Sequence, residues 1–308
     1  MSLKILFMGT PDFAVPILRS IHETNHKILA VYTQPAKKKS RGQKLFPSPI
    51  SDYSKKLKIS VRCPNSLKEE SEYEYIKKLD INVAVVVAYG KILPTKILDI
   101  PNIKFLNIHA SILPKWRGAA PIQRAIMNMD KETGISIMKI IPELDAGPVM
   151  KINKIKINNN VTYEMLSKQL SSLAAATIIE CLDIIEKKKE NFISQNNNEA
   201  TYAKKIEKIE SRVKWTDKAR DIVAKINAFY PNPGSWFDLN GTRIKVIKAK
   251  VSEKKGSPGE ILDNEFTIAC SDNSVQILEL KKEGKNSMSS INFLKGYKLE
   301  IGSILNDL

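Results

Sequence analysis

The stretch "VAVVVAY", Val83–Tyr89, decides the fold class of this 308-residue chain. It contains no charged residue and no Asn, Gln, Ser or Thr. A strand with one face in water alternates apolar and polar residues, whereas an unbroken apolar run is typical of a strand covered on both faces. Such strands belong to parallel sheets with helices packed on each side. The stretch therefore predicts an α/β fold.

Three similar apolar runs accompany this strand: "KILFMG" (Lys4–Gly9), "ILAVYT" (Ile28–Thr33) and "FLNIHAS" (Phe105–Ser111). Helical spacing of apolar residues predicts helices within Pro11–Glu23, Ser48–Leu57, Leu67–Leu79, Ala119–Met129 and about Thr162–Lys189. The alternation of strands and helices predicts a doubly wound, mostly parallel, Rossmann-like sheet. Ligands bind such sheets beyond the carboxyl ends of the strands, and His109 lies at one of those ends.

The part of the chain after the long helix has a different pattern. The segment "EKKKENFISQNNNEATYAKK" has no apolar period and is interpreted as a linker. A helix at about Thr216–Phe229 precedes short alternating segments, and Asn240-Gly241 between two of them is a hairpin signal. About five short strands predict a small β-barrel of the OB type. We therefore predict an α/β domain at 1–189, a linker at 190–208 and a barrel at 209–308.

Composition narrows the class of partner and the compartment. The chain has 49 Lys and Arg against 33 Asp and Glu, a formal charge of +16, which favours a polyanionic partner such as nucleic acid. The alternative is a general compositional bias towards lysine. Its three cysteines are far apart, which argues against a disulfide framework or a zinc site. We therefore expect no metal. Neither a signal peptide nor a membrane helix is predicted, so we expect a cytoplasmic protein.

Polar side chains at the end of the "FLNIHAS" strand are the candidates for chemistry. Asn107 and His109 are two residues apart, so both side chains point to the same face. Asp145 follows a further predicted strand, in "ELDAGPVM", and a carboxylate beside a histidine fixes its tautomer and favours the cation. The three together suit acyl transfer, with donors for an oxyanion and a proton relay. The alternative is a histidine that is simply satisfied within the core.

A basic insertion, "QPAKKKSRGQKLFPSP" at Gln34–Pro49, lengthens what should be a short strand-to-helix loop. Loops of this length are usually functional or disordered. Between Gln34 and Lys44 it has no acidic residue, and its basic residues are Lys37, Lys38, Lys39, Arg41 and Lys44. The insertion is either a phosphate-binding element or a solvated loop.

These motifs together resemble the methionyl-tRNA formyltransferase family. The resemblance is carried by "GTPDFAVPIL", "TQPAKKKSRGQKLFPSPI", "VVVAYGKILP", "NIHASILPKWRGAAPIQRAI", "ELDAGPVM" and "YPNPGSW", and it covers nearly the whole chain in the family's order. In the "HASILP" signature an isoleucine stands where leucine is usual. The resemblance implies transfer of a formyl group from 10-formyltetrahydrofolate to methionyl initiator tRNA, without a metal, by a monomeric enzyme.

The resemblance also implies roles for individual residues. Asn107, His109 and Asp145 match the family's catalytic trio. The residues that match its folate-binding segments are Ser111, Ile112, Leu113, Pro114, Val87, Ala88, Tyr89 and Gly90. In the basic insertion, which the family uses to contact tRNA, Arg41 matches the family's arginine, and Lys37, Lys38, Lys39 and Lys44 are expected to contact tRNA with it. An excess of basic residues near the domain junction adds Lys204, Lys205 and Lys208 to the residues expected to contact tRNA. Ser111 is expected to position backbone, not to act as a nucleophile, because its surroundings are not GxSxG.

The sequence alone leaves other functions open. A formyltransferase acting on glycinamide ribonucleotide or an aminosugar nucleotide would share the trio but would need neither the insertion nor the barrel. A non-catalytic tRNA-binding protein would keep the fold, and a hydrolase that releases formate would need no acceptor amine. The acceptor is what separates these possibilities.

Overall fold

The protein, described here from a computed structural model that covers residues 2–39 and 44–305, divides into two structural units. Unit 1 consists of Met1–Gly118, Thr133–Ile155 and Ser167–Tyr202. Unit 2 consists of Ala119–Glu132, Lys156–Leu166 and Ala203–Leu308.

The secondary structure follows the predicted alternation of strands and helices. In chain order the strands are β1 (Lys4–Gly9), β2 (Lys27–Tyr32), β3 (Lys37–Lys39), β4 (Lys44–Phe46), β5 (Val61–Arg62), β6 (Val83–Val87), β7 (Lys104–His109), β8 (Arg117–Gly118), β9 (Glu132–Lys139), β10 (Val149–Lys156), β11 (Tyr202–Ala203), β12 (Trp236–Leu239), β13 (Thr242–Ser252), β14 (Thr267–Ala269), β15 (Ser274–Lys282) and β16 (Ser287–Ser289). The helices are α1 (Val15–His22), α2 (Pro49–Lys56), α3 (Glu70–Lys78), α4 (Thr95–Leu98), α5 (Pro121–Met127), α6 (Tyr163–Glu186), α7 (Ala219–Phe229) and α8 (Ser290–Lys295).

A seven-stranded sheet in the order β10-β9-β7-β6-β1-β2-β5 forms the centre of unit 1. Strand β1 is parallel to both β2 and β6, and β6 is parallel to β7. Strand β9 runs antiparallel to β7, with Asn107 opposite Met138 and His109 opposite Ser136. The predicted doubly wound, mostly parallel sheet is confirmed.

Burial on both faces explains why these residues form this sheet. All five residues of β6 are buried, and so are five of the six in β1. Helix α1 adds its buried face of Ile17, Leu18 and Ile21. Each such side chain contributes about 1.5–3 kcal/mol when it leaves water. The stability of the sheet therefore comes from the apolar runs that the sequence displays.

Unit 2 contains an antiparallel sheet of five strands in the order β12-β13-β15-β14, with β16 also paired to β15. Asn240 and Gly241 both have positive φ angles and form the turn between β12 and β13, as the hairpin signal predicts. The rings of Phe237, Phe266 and Phe293 form a chain of contacts through the core. The predicted fold class of a doubly wound domain followed by a small antiparallel β domain is confirmed.

Two segments have more structure than the sequence indicates. The basic insertion contains an antiparallel hairpin, in which β3 pairs with β4 and Lys38 lies opposite Leu45. Residues 190–202, which fall in the predicted linker, lie in unit 1, where Ile193 forms a bridge with Val149. The division at 189 and 208 stays a prediction. Within the described ranges, no helix has the length and apolar character needed to cross a bilayer.

Candidate active site

Four parallel strands end side by side at one edge of the sheet in unit 1. Their last residues are Gly9 of β1, Tyr32 of β2, Val87 of β6 and His109 of β7. This carboxyl edge is where open α/β sheets bind ligands. Most of the predicted catalytic and folate-binding residues lie at this edge or in the loops that leave it.

The structure brings Asn107, His109 and Asp145 together. The Asn107 amide Nδ2 donates to Asp145 Oδ1 at 3.2 Å. The second carboxylate oxygen, Oδ2, lies 3.5 Å from His109 Nδ1. His109 is 5% exposed and the side chain of Asp145 is 13% exposed, so the contact between them is shielded from water. One carboxylate thus holds both of the other side chains.

The His109 ring faces an oxygen acceptor at each nitrogen. Its Nε2 lies 2.8 Å from the carbonyl oxygen of Trp116, which can only accept, so Nε2 carries a proton. Its Nδ1 faces the Asp145 carboxylate. A doubly protonated imidazolium satisfies both neighbours at once. In this geometry Nε2 is engaged with backbone.

The loop that carries Asp145 is held by backbone contacts. Asp145 has a φ of +48°, in the left-handed region, and its Oδ2 accepts a hydrogen bond from the Gly118 amide at 2.8 Å. Gly147 follows, and a Cβ added there would meet the carbonyl oxygen of Lys139 at 1.8 Å. Only glycine allows this approach, so the sequence "DAG" sets the path of the loop.

The predicted folate segment Ser111–Pro114 leaves β7 directly after His109. Ser111 is buried, its Oγ donates to the Lys115 carbonyl at 2.5 Å, and its own carbonyl accepts from Ser136 Oγ at 2.7 Å. Leu113 is buried, while Ile112 and Pro114 are partly exposed. Ser111 Oγ therefore supports the loop through backbone contacts, as expected for a positioning residue.

The second predicted folate segment, Val87–Gly90, leaves β6 with positive φ angles at Ala88 and Gly90. The Tyr89 carbonyl accepts from Thr10 Oγ1 at 2.9 Å and from Gln34 Nε2 at 3.0 Å. Burial raises the pKa of the Tyr89 hydroxyl, which has no hydrogen-bond partner among the described residues. Sequence reasoning missed Thr10 and Gln34, although both directly follow predicted strands.

Residues behind the loop that carries Asp145 were also missed by the sequence reasoning. Arg117 and Gln195 connect to the loop that carries Asp145 through hydrogen bonds. Arg117 stands within the quoted "KWRG" motif, so its position was a usable signal. Gln195 lies in the polar segment interpreted as a linker, where nothing in the pattern marks one residue above its neighbours.

The basic residues predicted to contact tRNA lie in both units. In the hairpin of unit 1, Lys37, Lys38 and Lys44 are exposed, as are Leu45 at 66% and Phe46 at 42%. Lys39 belongs to β3, and Arg41 lies outside the described residues. In unit 2, the exposed residues are Lys204, Lys205 and Lys208. There Arg124 donates to the Lys204 carbonyl at 3.2 and 3.1 Å and pairs with Glu210 at 2.6 Å, which fixes that backbone.

One group of possible metal ligands occurs among the residues that the structure covers: His26, Asp183 and Glu186. His26 precedes β2, so the group lies at the amino end of that strand, away from the carboxyl edge. The Leu3 amide donates to His26 Nδ1 at 3.3 Å, which leaves the proton on Nε2 of the neutral ring. A protonated Nε2 has no lone pair for a metal, so this arrangement does not fit a cation site.

The chain belongs to the formyl transferase family. Residues 3–182 match the family described as Formyl transferase, and residues 205–298 match the one described as Formyl transferase, C-terminal domain.

Two relatives that match the full length of the chain are both methionyl-tRNA formyltransferases, one kind of enzyme within this family. Methionyl-tRNA formyltransferase of Pelagibacter ubique is 48% identical over 310 residues, which cover 100% of both chains. The protein of that name from Bradyrhizobium diazoefficiens is 40% identical over 98% of this chain and 99% of its own.

Solved structures share the fold at lower identity. An N-formyltransferase from Helicobacter canadensis, in complex with folinic acid and dTDP-3-aminofucose, has a TM-score of 0.69 at 20% identity and covers 92% of this chain and all of its own. HypX from Aquifex aeolicus, in complex with tetrahydrofolic acid, has a TM-score of 0.67 at 18% identity over 96% of this chain and 47% of its own.

Proposed function

We propose that the protein transfers the formyl group of 10-formyltetrahydrofolate to the free amino group of methionyl initiator tRNA, the aminoacyl-tRNA that begins translation. The observation that carries this proposal is the cluster of Asn107, His109 and Asp145 at the carboxyl edge of the sheet. The relatives that match the full length of the chain support the choice of acceptor. We also propose that the enzyme is cytoplasmic and monomeric.

The trio suits a reaction in which a carbonyl carbon passes from one nitrogen to another. Attack by the amine makes the carbon tetrahedral and places negative charge on its oxygen. Asn107 Nδ2 has two hydrogens, of which Asp145 receives one, so the other serves the oxyanion. Because His109 Nε2 is engaged with the Trp116 carbonyl, His109 acts in this geometry mainly through its positive charge. Direct donation by His109 would require Nε2 to leave that carbonyl.

Asp145 has two tasks in this mechanism. Its carboxylate keeps His109 cationic and orients the Asn107 amide. It would also relay a proton through water, from the attacking amine to the departing nitrogen. Ser111, Ile112, Leu113, Pro114 and the Val87–Gly90 segment would hold the folate beside the trio.

Basic side chains on both units would hold the RNA. In the hairpin, Lys37, Lys38 and Lys44 are exposed, and so are the three lysines of the Lys204–Lys208 segment, so none of them is needed to fill the core. Phosphate contacts of this kind give affinity that depends on salt but little choice of sequence. The exposed Leu45 and Phe46 of the hairpin would pack against the end of the acceptor stem.

One assay separates the proposed function from its alternatives. The protein is incubated with 10-formyltetrahydrofolate and, in separate reactions, charged initiator tRNA, charged elongator tRNA, glycinamide ribonucleotide, an aminosugar nucleotide or no acceptor. We expect formylation of the initiator tRNA only. Formylation of a small amine would support the other formyltransferases, and formate release without an acceptor would support a hydrolase.

Variants of the trio test the proposed mechanism. We expect Asn107→Ala and His109→Ala each to lower kcat by about 10²- to 10³-fold, the usual loss for one group that stabilises an oxyanion. The affinity for charged tRNA, measured by binding, should stay nearly unchanged. Asn198→Ala, at an exposed position, is the control and should match the wild type. Near-wild-type turnover in either trio variant would remove that residue from the mechanism.

A further inference from the structure

Residues 193–201, which we call the return segment, run along the loop of unit 1 that carries Asp145 before the chain enters unit 2. We call that loop the catalytic loop, after the role proposed for Asp145. At its start, the amides and carbonyls of Ile193 and Val149 exchange hydrogen bonds of 2.8 and 2.9 Å. At its end, the Thr201 carbonyl accepts from the Arg117 amide at 2.8 Å, and Thr201 Oγ1 accepts from the Trp116 amide at 2.9 Å. Both ends of the segment are therefore fixed to chain next to the site.

Between these ends, Gln195 uses all the hydrogen-bonding capacity of its amide. Its Nε2 donates to the carbonyl of Asp145 at 2.9 Å and to that of Gly147 at 2.7 Å. Its Oε1 accepts from Arg117 Nε at 3.0 Å and from Nη2 at 2.8 Å. The opposite amide orientation would turn its oxygen towards two carbonyls and its hydrogens towards a guanidinium, so the environment selects one orientation.

Arg117 is the anchor of this contact. It is only 4% exposed, and its Nη2 also donates to Asn197 Oδ1 at 2.8 Å. A guanidinium donates from a rigid planar fork, whereas an ammonium is a single point of charge. Two hydrogen bonds from the fork converge on Gln195 Oε1, which directs Nε2 towards the catalytic loop.

We infer that Gln195 and Arg117 are positioning residues that hold Asp145 in its working geometry. This inference rests on the proposed role of Asp145. The left-handed backbone at Asp145 places its carboxylate within reach of Asn107 and the Gly118 amide, and the bonds from Gln195 fix the Asp145 carbonyl that defines this backbone. Gln195 acts from behind the loop, through the backbone of Asp145.

The first test replaces Gln195 by methionine, which has a similar length and shape but neither donates nor accepts in this way. We expect kcat to fall about 10- to 100-fold, because small misplacements of catalytic groups have effects of that size. The KM values for tRNA and folate should change less than about threefold, and the melting temperature should stay near the wild-type value. Arg117→Lys should reproduce the loss, since lysine cannot make the paired bonds. Asn198→Ala, on the same segment, is the matched control.

The second test asks whether Gln195 acts through Asp145. In single-turnover reactions, Gln195→Met should lower the rate of the wild type strongly but that of Asp145→Ala by less than about twofold, because nothing is left to position. If the two losses multiply in full, or if Gln195→Met leaves kcat unchanged, Gln195 is not a positioning residue for Asp145. If Asp145→Ala alone has near-wild-type turnover, it is the proposed role of Asp145 that fails.

Discussion

Asp145 occupies a left-handed backbone conformation, accepts hydrogen bonds from Asn107 and from the Gly118 amide, and faces His109. Non-glycine residues reach this conformation at a cost of about 1–2 kcal/mol, although Asp bears it better than most. Such a residue keeps its place only when its surroundings fix it. At Asp145, the surroundings include the backbone path that Gly147 permits.

The loop that carries Asp145 should respond sharply to a methyl group at Gly147. We expect Gly147→Ala to lower kcat about 10²-fold and to destabilise the protein by about 1–3 kcal/mol, because its Cβ would overlap the Lys139 carbonyl and push the loop away. Activity and thermal melts measure both effects. Gly296→Ala is the control, since its Cβ would meet only the Phe293 carbonyl, at 4.0 Å. Equal behaviour of the two variants would show that the close approach does not constrain Asp145.

Much of the site at this scale could be predicted from the sequence. The period of two on a strand places Asn107 and His109 on one face, and the glycine in "DAG" marks a tight loop. The contacts of Gln195 could not be predicted, because they join residues far apart in the chain and depend on the path of an irregular segment. The engagement of His109 Nε2 with the Trp116 carbonyl likewise depends on a left-handed backbone at Trp116 that no local pattern indicates.

Among the elements, a charged network joins β2, β5 and α3 in unit 1. Glu72 accepts from Tyr32 Oη at 2.6 Å and from Arg62 Nε and Nη2 at 3.0 and 2.6 Å, and Arg62 stacks on the ring of Tyr75. Burial by itself would raise the pKa of Glu72, but the hydrogen bonds from Arg62 and Tyr32 together lower it below its usual value. The network thus attaches the edge strand β5 to the sheet.

This network predicts a dependence of stability on pH. Because the pKa of Glu72 is lower in the folded protein, its contribution to stability is present above the pKa of the unfolded carboxyl and is lost as pH falls through the folded value. We expect Glu72→Gln to lower the free energy of unfolding by about 2 kcal/mol at neutral pH, and by less below about pH 4. Denaturant titrations at several pH values measure this difference.

The exposed pair of Glu70 and Lys96 provides the control for that prediction. Glu70→Gln should change stability little at any pH, since exposed ion pairs are solvated and screened. A difference between wild type and Glu72→Gln that stays constant from neutral to acid pH would contradict the role of the Glu72 charge.

Sequence patterns predicted long elements better than short ones. Strands β1, β2, β6 and β7 are confirmed. Their apolar runs predict strands that are buried on both faces of a sheet. The hairpin of β3 and β4 was not predicted, since its strands are short and rich in lysine. The edge strand β10 alternates charged with apolar residues and was also missed.

For the whole molecule, the dominant property is a formal charge of +16 in a chain whose proposed acceptor is a polyanion. Basic side chains that contact phosphates release bound cations from the RNA, so affinity falls with salt more steeply when more phosphates are neutralised. The hairpin of unit 1 and the Lys204–Lys208 segment of unit 2 present such side chains. The salt dependence of tRNA binding therefore measures how many of them meet the RNA.

A variant with Lys37, Lys38 and Lys44 all changed to alanine should bind charged tRNA more weakly. We expect the slope of log affinity against log salt to become shallower by about one for each phosphate that is no longer neutralised. The KM for the folate should stay unchanged. Lys168→Ala, an exposed lysine of α6, is the control. An unchanged slope in the triple variant would separate the hairpin from RNA binding, and an equal rise in KM for both substrates would indicate a general disturbance of the site.

Arg41 tests the basic insertion of the sequence through kinetics. Neutralising it as Arg41→Ala should raise KM for the charged tRNA far more than KM for the folate, because a guanidinium in the insertion would serve the RNA alone. Steady-state kinetics with each substrate varied in turn measures the ratio. Equal effects on both KM values would argue against the assignment.

The return segment has a practical consequence for where the polypeptide can be shortened. A fragment that stops after α6 would contain Asn107, His109 and Asp145 and the whole seven-stranded sheet, yet it would lack the amide of Gln195 and the strand-like pairing at Ile193. Such a fragment would look complete by its motifs, but the Asp145 carboxylate, proposed to be catalytic, would be left without support. Any excision of the α/β part should therefore keep the chain through Tyr202.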